Sequence, residues 1–168
     1  ASTGWDGMVR LWDLPRKGNP KTVELDTPAT EYLSFSPNGD MLATAHPAGV
    51  VLRDAFSFEE VYRLDGQARP VFSPSGDRLA TVSTDANDTA IHFWDCPSGQ
   101  QISAPLLLEG HTMDPRHTGG GQRLAFSTNG KLIGCATARD RVIVFDVASA
   151  RTHRDFDLQS RSFGCFLS

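Results

Sequence analysis

Two histidines and an aspartate stand three residues apart in the segment 110–121, and their side chains could bind a metal ion. His111, Asp114 and His117 offer imidazole and carboxylate groups, which are common ligands of zinc and other transition metals. This spacing brings side chains together on a helix, but Pro115 and the three glycines that follow disfavour a helix. We therefore expect an elongated surface loop, and a metal site in this loop is the alternative.

No other segment has the spacing of a catalytic or nucleotide-binding motif. The glycine run that ends at Gly121 is not followed by Lys-Ser or Lys-Thr, as a phosphate-binding loop requires. No serine stands in a Gly-x-Ser-x-Gly turn. The three cysteines, Cys96, Cys135 and Cys165, are far apart and form no metal-binding or redox pair. We expect no enzymatic activity and no cofactor.

Composition and charge indicate an ordinary globular chain. Of the 168 residues, 39% are hydrophobic and 21% are charged, and the net charge of −4 is spread along the sequence in mixed sign. No block of basic residues would follow a phosphate backbone, which argues against a nucleic-acid partner. The apolar runs are too short to span a bilayer. With unpaired cysteines, these features predict a cytoplasmic protein.

A turn motif recurs three times and is the strongest signal in the sequence. The pattern Phe-Ser-x-x-Gly begins at Phe35, Phe72 and Phe126, and each copy leads into a short apolar segment. Proline at the third position of two copies restricts one backbone dihedral angle, and glycine permits a positive one. This is typical of a tight turn between antiparallel strands.

A second motif closes each repeat with an aromatic-acidic pair or a remnant of one. Trp12, Arg53 and Trp94 follow one another at intervals of 41 residues, and Phe145 follows after 51. The segments before these positions are short and rich in Val, Ile, Leu and Phe, as β-strands are. No segment shows ten or more residues of helical periodicity, so we predict an all-β fold.

The pairs Trp12-Asp13 and Trp94-Asp95, together with Gly110-His111, resemble the Trp-Asp (WD) repeats of β-propellers, and the resemblance covers nearly the whole chain. It implies a β-propeller fragment of about three to four four-stranded antiparallel blades. The units that it implies are the end of a blade at 1–14, repeats at 21–57, 59–99 and 100–150, and the start of a further blade at 151–168. Because both ends fall within a blade, we expect a longer protein.

The repeats of this family are often tied together by a hydrogen-bonded set of His, Ser or Thr, Asp and Trp, in which the Trp ring nitrogen donates. The resemblance carries only partial sets onto this sequence: Asp6 and Trp12, then Asp88 and Trp94, then His111, Thr137 and Asp140. Pro47 and Arg53 replace the Asp and the Trp of one repeat, and Phe145 replaces the Trp of another. We therefore expect apolar packing to hold the blades together.

The family architecture also implies a surface for partners. It places the turn at Trp5 on one rim with the loops that follow the second strand of each blade and the loops between blades. Exposed aromatic and arginine side chains are enriched in binding hot spots. The candidate partner-binding residues on this rim are Trp5, His46, Arg69, Arg116 and Arg139.

These observations predict a non-enzymatic scaffold that binds other proteins or peptides through the rim loops. Self-association through the open edges of blades is a further expectation, because an edge strand has unpaired backbone groups. The alternative is the propeller part of an enzyme or of a regulatory multidomain protein, with the metal site in the 110–121 loop. Fold alone does not decide between them.

Overall fold

The computed structural model describes residues 2–3, 8–11, 21–24, 32–65, 68–84, 89–108, 124–137 and 141–157. Within these ranges the chain forms strands and turns and no helix, and therefore none that could cross a membrane. The strands, in chain order, are β1 Ser2–Thr3, β2 Met8–Leu11, β3 Lys21–Glu24, β4 Tyr32–Phe35, β5 Met41–His46, β6 Gly49–Asp54, β7 Glu60–Asp65, β8 Ala68–Phe72, β9 Arg78–Thr84, β10 Thr89–Asp95, β11 Leu106–Leu108, β12 Leu124–Phe126, β13 Leu132–Ala136, β14 Arg141–Asp146 and β15 Arg151–Asp157.

The strands form four antiparallel sheets, in which each strand pairs with the next one along the chain. Sheet 1 contains β1–β3, sheet 2 β4–β7, sheet 3 β8–β11 and sheet 4 β12–β15. Three four-stranded sheets of this kind, one after another, confirm the predicted all-β fold and its assignment as a β-propeller fragment. The chain divides into two compact units, Ala1–Pro70 and Val71–Ser168.

The sheets are offset by one strand from the sequence repeats. Strand β3, which opens the first complete repeat, pairs with β2 of the preceding unit. Strand β15, which the repeat spacing assigns to a further blade, pairs with β14 along six residue positions. In sheets 2 and 4 the reason is local: a short turn joins the third strand to the fourth, and antiparallel pairing across a short turn closes the sheet.

Each four-stranded sheet has two ends with different connections. We call one of them the turn end: it carries the connection from the first to the second strand and the connection from the third to the fourth strand. The loop end carries the connection from second to third strand, which in sheet 2 is His46–Gly49. The rim loops predicted from the sequence follow second strands and therefore belong to the loop ends.

The core of the second unit lies between sheets 3 and 4. One face of sheet 3 contributes Ala80, Val82, Ile91 and Phe93, and one face of sheet 4 contributes a matching apolar set. The rings of Phe93 and Phe126 meet with centroids 6.3 Å apart. Strand β9 is buried on both faces, since Leu79, Ala80, Thr81 and Val82 are buried in succession. Cys135 is fully buried in this core, as its apolar surroundings predict.

The first unit has a smaller buried cluster, which joins sheets 1 and 2. Val9 of β2 packs with Leu42 of β5 and with Phe58 from the turn after β6. The outer strands β7 and β15 each contain a register shift against their neighbour, next to Arg53 and Phe145 respectively. Such irregularities bend an edge strand and interrupt its outward row of backbone groups.

Candidate partner-binding rim

Four of the residues singled out in the sequence lie in the described part of the chain: His46, Arg69, Trp94 and Thr137. The other candidates lie outside the described residues, and their roles stay predictions: Trp5, Arg116, Arg139, Asp6, Trp12, Asp88, His111 and Asp140. The alternative metal site at 110–121 also lies outside them. Within the described ranges no group of three or more His, Cys, Asp or Glu side chains could hold a metal ion.

Trp94 makes the hydrogen bond that the family pattern expects of a Trp. Its ring nitrogen Nε1 donates to Thr81 Oγ1 at 2.7 Å, and Thr81 is fully buried on the adjacent strand β9. The sequence analysis did not single out Thr81. The repeat contained a signal for this position, because Thr81 lies nine residues after Phe72. Thr44 and Cys135 lie at the same distance after Phe35 and Phe126.

The other two four-stranded sheets cannot form this bond. In sheet 4 the Trp position is Phe145, which has no donor, and the hydroxyl position is Cys135. In sheet 2 the Trp position is Arg53, whose Nη1 donates to the Phe58 carbonyl oxygen at 3.2 Å. Arg53 is 8% exposed, and its Nε has no hydrogen-bond partner within the described residues. Thr137 lies two residues beyond the Cys135 position, at the end of the second strand.

At the turn ends, the polar groups of the Phe-Ser-x-x-Gly motif satisfy one another. The buried hydroxyl of Ser36 accepts the Met41 amide at 2.9 Å, and the Ser127 hydroxyl accepts the Leu132 amide at 3.0 Å. The glycine amide donates back to the serine carbonyl oxygen, at 2.9 Å for Gly39. The serine is therefore needed for its hydroxyl, and the glycine for its positive φ of +81°.

The acidic residue that ends each third strand closes the second kind of turn at the same end. Oδ1 of Asp54 accepts the Ser57 amide at 2.8 Å, and Oδ1 of Asp146 accepts the Ser149 amide at 2.8 Å. These backbone amides hold the pKa of Asp54 and of Asp146 below the ordinary value for aspartate. Asp95 makes the equivalent bond to the Ser98 amide at 3.0 Å. The aspartate of the Trp-Asp pair is therefore a turn-closing residue.

At the loop end of sheet 2, His46 is buried, with 7% of its surface exposed. Its Nδ1 accepts the Ala48 amide at 3.3 Å, whereas its Nε2 has no hydrogen-bond partner among the residues that the structure describes. Burial is the largest cause that lowers the pKa of His46, so the ring is neutral at pH 7. The sequence suggested a partner-facing histidine, and the structure shows a buried ring with one unsatisfied nitrogen.

The loop end of sheet 4 has a similar unsatisfied group. Thr137 follows β13 directly and is 4% exposed, and its hydroxyl has no hydrogen-bond partner within the described ranges. In sheet 3 the equivalent residue is Ser83, whose hydroxyl lies 2.7 Å from Nε2 of His92. The buried Nδ1 of His92 has no hydrogen-bond partner in the described part of the chain. A buried polar atom without a partner within the described residues therefore occurs at two of these three positions, His46 and Thr137.

Arg69 also lies at a loop end, in the second residue of β8. Its guanidinium carbon is 5.0 Å from the centroid of the Tyr32 ring, a cation–π geometry. The backbone of Arg69 is left-handed, with φ at 52°, which few non-glycine residues adopt. Tyr32 is the first residue of β4 and pairs with Ala45, the neighbour of His46. The structure thus brings Arg69 and Tyr32 together at this end.

A cleft in the second unit lies at the turn ends of sheets 3 and 4. Its volume is about 360 Å³, and it is bordered by Ser75, Asp77, Arg78, Lys131 and Asp146 among others. Charges of both signs face it. Asp77 is tied to its own turn, since it accepts a hydrogen bond from the Ser73 hydroxyl at 2.9 Å. The hydrogen bond from the Ser75 hydroxyl lowers the pKa of Asp77 most, and the bond from Ser73 lowers it further. The cleft therefore has no single chemical preference.

These features define a class of protein: successive four-stranded antiparallel meanders, each with a serine turn and an aspartate turn, are the blades of a β-propeller fragment. No family model matches the chain. It is 25% identical to one of the subunits of chromatin assembly factor 1 from Mus musculus, over 99% of its own length and 34% of that protein. It is 26% identical to WD repeat-containing protein SL1-17 of Schistosoma mansoni, over 90% of its own length and 48% of that protein.

A shorter similarity, 46% identity over 48 residues, links the chain to U3 small nucleolar RNA-associated protein 21 of Saccharomyces cerevisiae, covering 29% of the chain and 5% of that protein. These similarities support the resemblance to WD-repeat proteins that the sequence suggested. The chain spans about a third to a half of the length of the first two relatives.

Proposed function

We propose that this chain is a non-enzymatic scaffold that binds other proteins through the loop ends of its sheets. The observation that carries the proposal is the difference between the two ends. At the turn ends, the serine and aspartate groups of the turns are satisfied within their own turns. At the loop ends, His46 Nε2 and Thr137 Oγ1 are buried and unsatisfied within the described residues.

An unsatisfied buried polar atom costs about 1–3 kcal/mol, and the great majority of such atoms in native proteins have a partner. These atoms are covered in the free chain, so a partner would remove this cost only by opening the loop end as it binds. The serine and aspartate groups of the turn ends are already satisfied and gain nothing comparable from a partner, although Nε of Arg53, near the turn end of sheet 2, also lacks one within the described residues. The loop ends of each unit are therefore the favoured binding surfaces, and in the first unit Tyr32 and Arg69 contribute an aromatic ring and an arginine.

The relatives support a role within larger assemblies. One is named as a subunit of a chromatin assembly factor, and another as a protein associated with a small nucleolar RNA. We propose proteins or peptides as the direct partners of this chain, because its basic residues form no continuous block. Self-association through blade edges and a cytoplasmic location stay predictions.

Site-specific photo-crosslinking tests the proposal within one sheet. A benzophenone amino acid replaces Ala48, an exposed residue in the loop-end turn between β5 and β6. The matched control replaces Phe56, which is 73% exposed in the turn-end turn of the same sheet. After irradiation in cells that produce the full-length protein, we expect discrete protein adducts from position 48 and none from position 56. Equal adducts from both positions, or none from position 48, would contradict the proposal.

A further inference from the structure

One position in the turn after each third strand has a left-handed backbone in all three four-stranded sheets. It lies four residues after the turn aspartate, and its φ is 68° at Gly99, 56° at Ala150 and 67° at Phe58. The amide of Phe58 donates to the Asp54 carbonyl oxygen at 2.9 Å, and the other two make the equivalent bond. Glycine adopts this conformation freely, whereas a bulky residue rarely does. Phe58 is therefore unfavourable for the backbone of its own turn.

The side chain of Phe58 explains why an aromatic residue stands at this position. Its ring is 7% exposed and packs with Val9 of sheet 1 and Leu42 of sheet 2, both of which are fully buried. Ala150, at the same place in sheet 4, is exposed. Burial of a whole phenylalanine side chain stabilises a fold by more than one left-handed residue destabilises it. The packing between sheets 1 and 2 therefore holds this turn in a conformation that its own residue disfavours.

Arg53 holds the same turn from within sheet 2. It occupies the Trp position, and its Nη1 donates to the Phe58 carbonyl oxygen at 3.2 Å. Thr44, the counterpart of Thr81, directs its hydroxyl instead to the Val51 carbonyl oxygen at 3.3 Å. The residue that replaces the Trp thus binds the residue of the turn that packs against sheet 1.

We propose that the turn at 55–59, between β6 and β7, is a strap that fastens sheet 2 to sheet 1, and that the strap and the contact between the two sheets open together in one step. When the sheets separate, Phe58 loses the packing that compensates its backbone strain, and the turn is released. The exposed side chain of Ala150 provides no such coupling in sheet 4. This inference goes beyond the proposed scaffold function and does not depend on it.

Native-state hydrogen exchange of the full chain, at a series of low urea concentrations, tests the coupling. We expect the amide of Phe58 and the amides of β2 to exchange through one opening, with the same free energy and the same dependence on urea. The amide of Ala150, which makes the equivalent bond to Asp146, should exchange through a local opening that urea hardly affects.

Glycine substitutions at the two equivalent positions separate packing from backbone strain. Phe58→Gly removes the ring and relieves the strain, so we expect exchange in β2 to become about tenfold faster or more. Ala150→Gly relieves the same strain without removing a buried side chain. It should leave exchange in β2 unchanged and keep or increase the protection of the amide at position 150.

Two leucine substitutions within the strap keep the test possible if Phe58→Gly does not fold. Phe58→Leu shortens the buried side chain and should also speed exchange in β2. Phe56→Leu is the matched control, because Phe56 is 73% exposed in the same turn, and it should have no effect on β2.

Three results would overturn the proposal. The first is exchange in β2 that stays at the wild-type rate in Phe58→Leu. The second is an equal acceleration in Phe56→Leu, which would mean that any change in this turn disturbs sheet 1. The third is a wild-type Phe58 amide that exchanges through a local opening while β2 stays protected.

Discussion

At the scale of single residues, one position in the repeat shows how this chain departs from the WD-repeat pattern that it resembles. Trp94, Arg53 and Phe145 are the next-to-last residues of equivalent third strands, but only Trp94 donates a ring hydrogen bond, to Thr81. Arg53 uses its guanidinium group to bind a turn carbonyl oxygen instead, and Phe145 joins the core between sheets 3 and 4. The same place in the fold is therefore stabilised by three different interactions.

The Trp94–Thr81 bond can be measured with a double-mutant cycle. Trp94→Phe removes the donor and Thr81→Val removes the acceptor, while most of the side-chain volume is kept. We expect an interaction free energy of about 0.5–1.5 kcal/mol in urea unfolding, which is the usual worth of one hydrogen bond. Replacing Phe93, the neighbour on the opposite face, with Leu provides a control that should show no coupling to Thr81→Val. An interaction energy of zero would mean that the bond is unimportant for folding.

The aspartate turns predict a pH dependence of stability. Backbone amides lower the pKa of Asp146 in the folded state. The ionised carboxylate therefore stabilises the fold at pH values above the pKa that Asp146 has in the unfolded chain. That stabilisation is lost as the pH falls through the folded pKa. Asp146→Asn keeps an oxygen acceptor and cannot ionise, so the free energies of unfolding of the two proteins should converge as the pH falls below about 4.

Urea unfolding at a series of pH values measures this convergence. Asp54→Asn, at the same place in the turn of sheet 2, should behave in the same way, because its pKa is lowered by the same kind of backbone bond. A difference between wild type and variant that stays constant with pH would show that the charge of the aspartate has no part in closing the turn.

At the scale of elements, the turn ends of the four-stranded sheets share the same turns, whereas the loop ends differ. The serine turn and the aspartate turn at the turn end are closed by hydrogen bonds among their own residues, so their geometry repeats from sheet to sheet. The loop end differs in every sheet: a buried histidine in sheet 2, a Ser–His pair in sheet 3 and a buried threonine in sheet 4. Variation at one end of a constant scaffold is what a binding surface requires.

Two glycines at opposite ends of sheet 2 both have a positive φ, but only Gly49 is also closely packed. Gly39 has a φ of +81° and open space around its Cα, so Gly39→Ala costs only the strain, about 1–2 kcal/mol. A methyl group at Gly49 would overlap the carbonyl oxygen of Leu64 on the next strand. We expect Gly49→Ala to cost about 1–3 kcal/mol more than Gly39→Ala in urea unfolding. Equal costs would mean that β6 and β7 can move apart freely.

At the scale of the whole molecule, the described core belongs to pairs of sheets rather than to single sheets. In the second unit the apolar cluster takes side chains from both sheet 3 and sheet 4, including the fully buried Ile133. Each of these sheets can bury this face only against the other, as expected of repeated blades.

Ile133→Ala should therefore weaken two sheets together. We expect a loss of about 2–5 kcal/mol in the free energy of unfolding, because a cavity opens in a packed core. Hydrogen exchange should speed up in β9–β10 as well as in β13–β14. Leu107, which is 58% exposed on the outer strand β11, is the control: Leu107→Ala should change stability by less than about 0.5 kcal/mol. Faster exchange confined to sheet 4 would show that the two sheets unfold separately.

The sequence by itself determined the fold class and the places of the turns. Proline, glycine and serine at fixed positions of the Phe-Ser-x-x-Gly motif act within a few residues, so their effect is readable without knowledge of distant contacts. The same holds for the period of the repeat and for its aromatic-acidic strand ends. Arg69 was a candidate because the resemblance placed its loop on the rim and because of its residue type, and the sequence contained no sign of its positive φ.

Only the tertiary structure decided which strand joins which sheet and which polar groups lack partners. The offset of β3 and β15 depends on backbone pairing, which a sequence repeat does not record. The Thr81 acceptor, the buried ring of His46 and the contact between Arg69 and Tyr32 depend on residues from different strands coming together. Burial and hydrogen-bond satisfaction are properties of a packed assembly, because each depends on atoms that are distant along the chain.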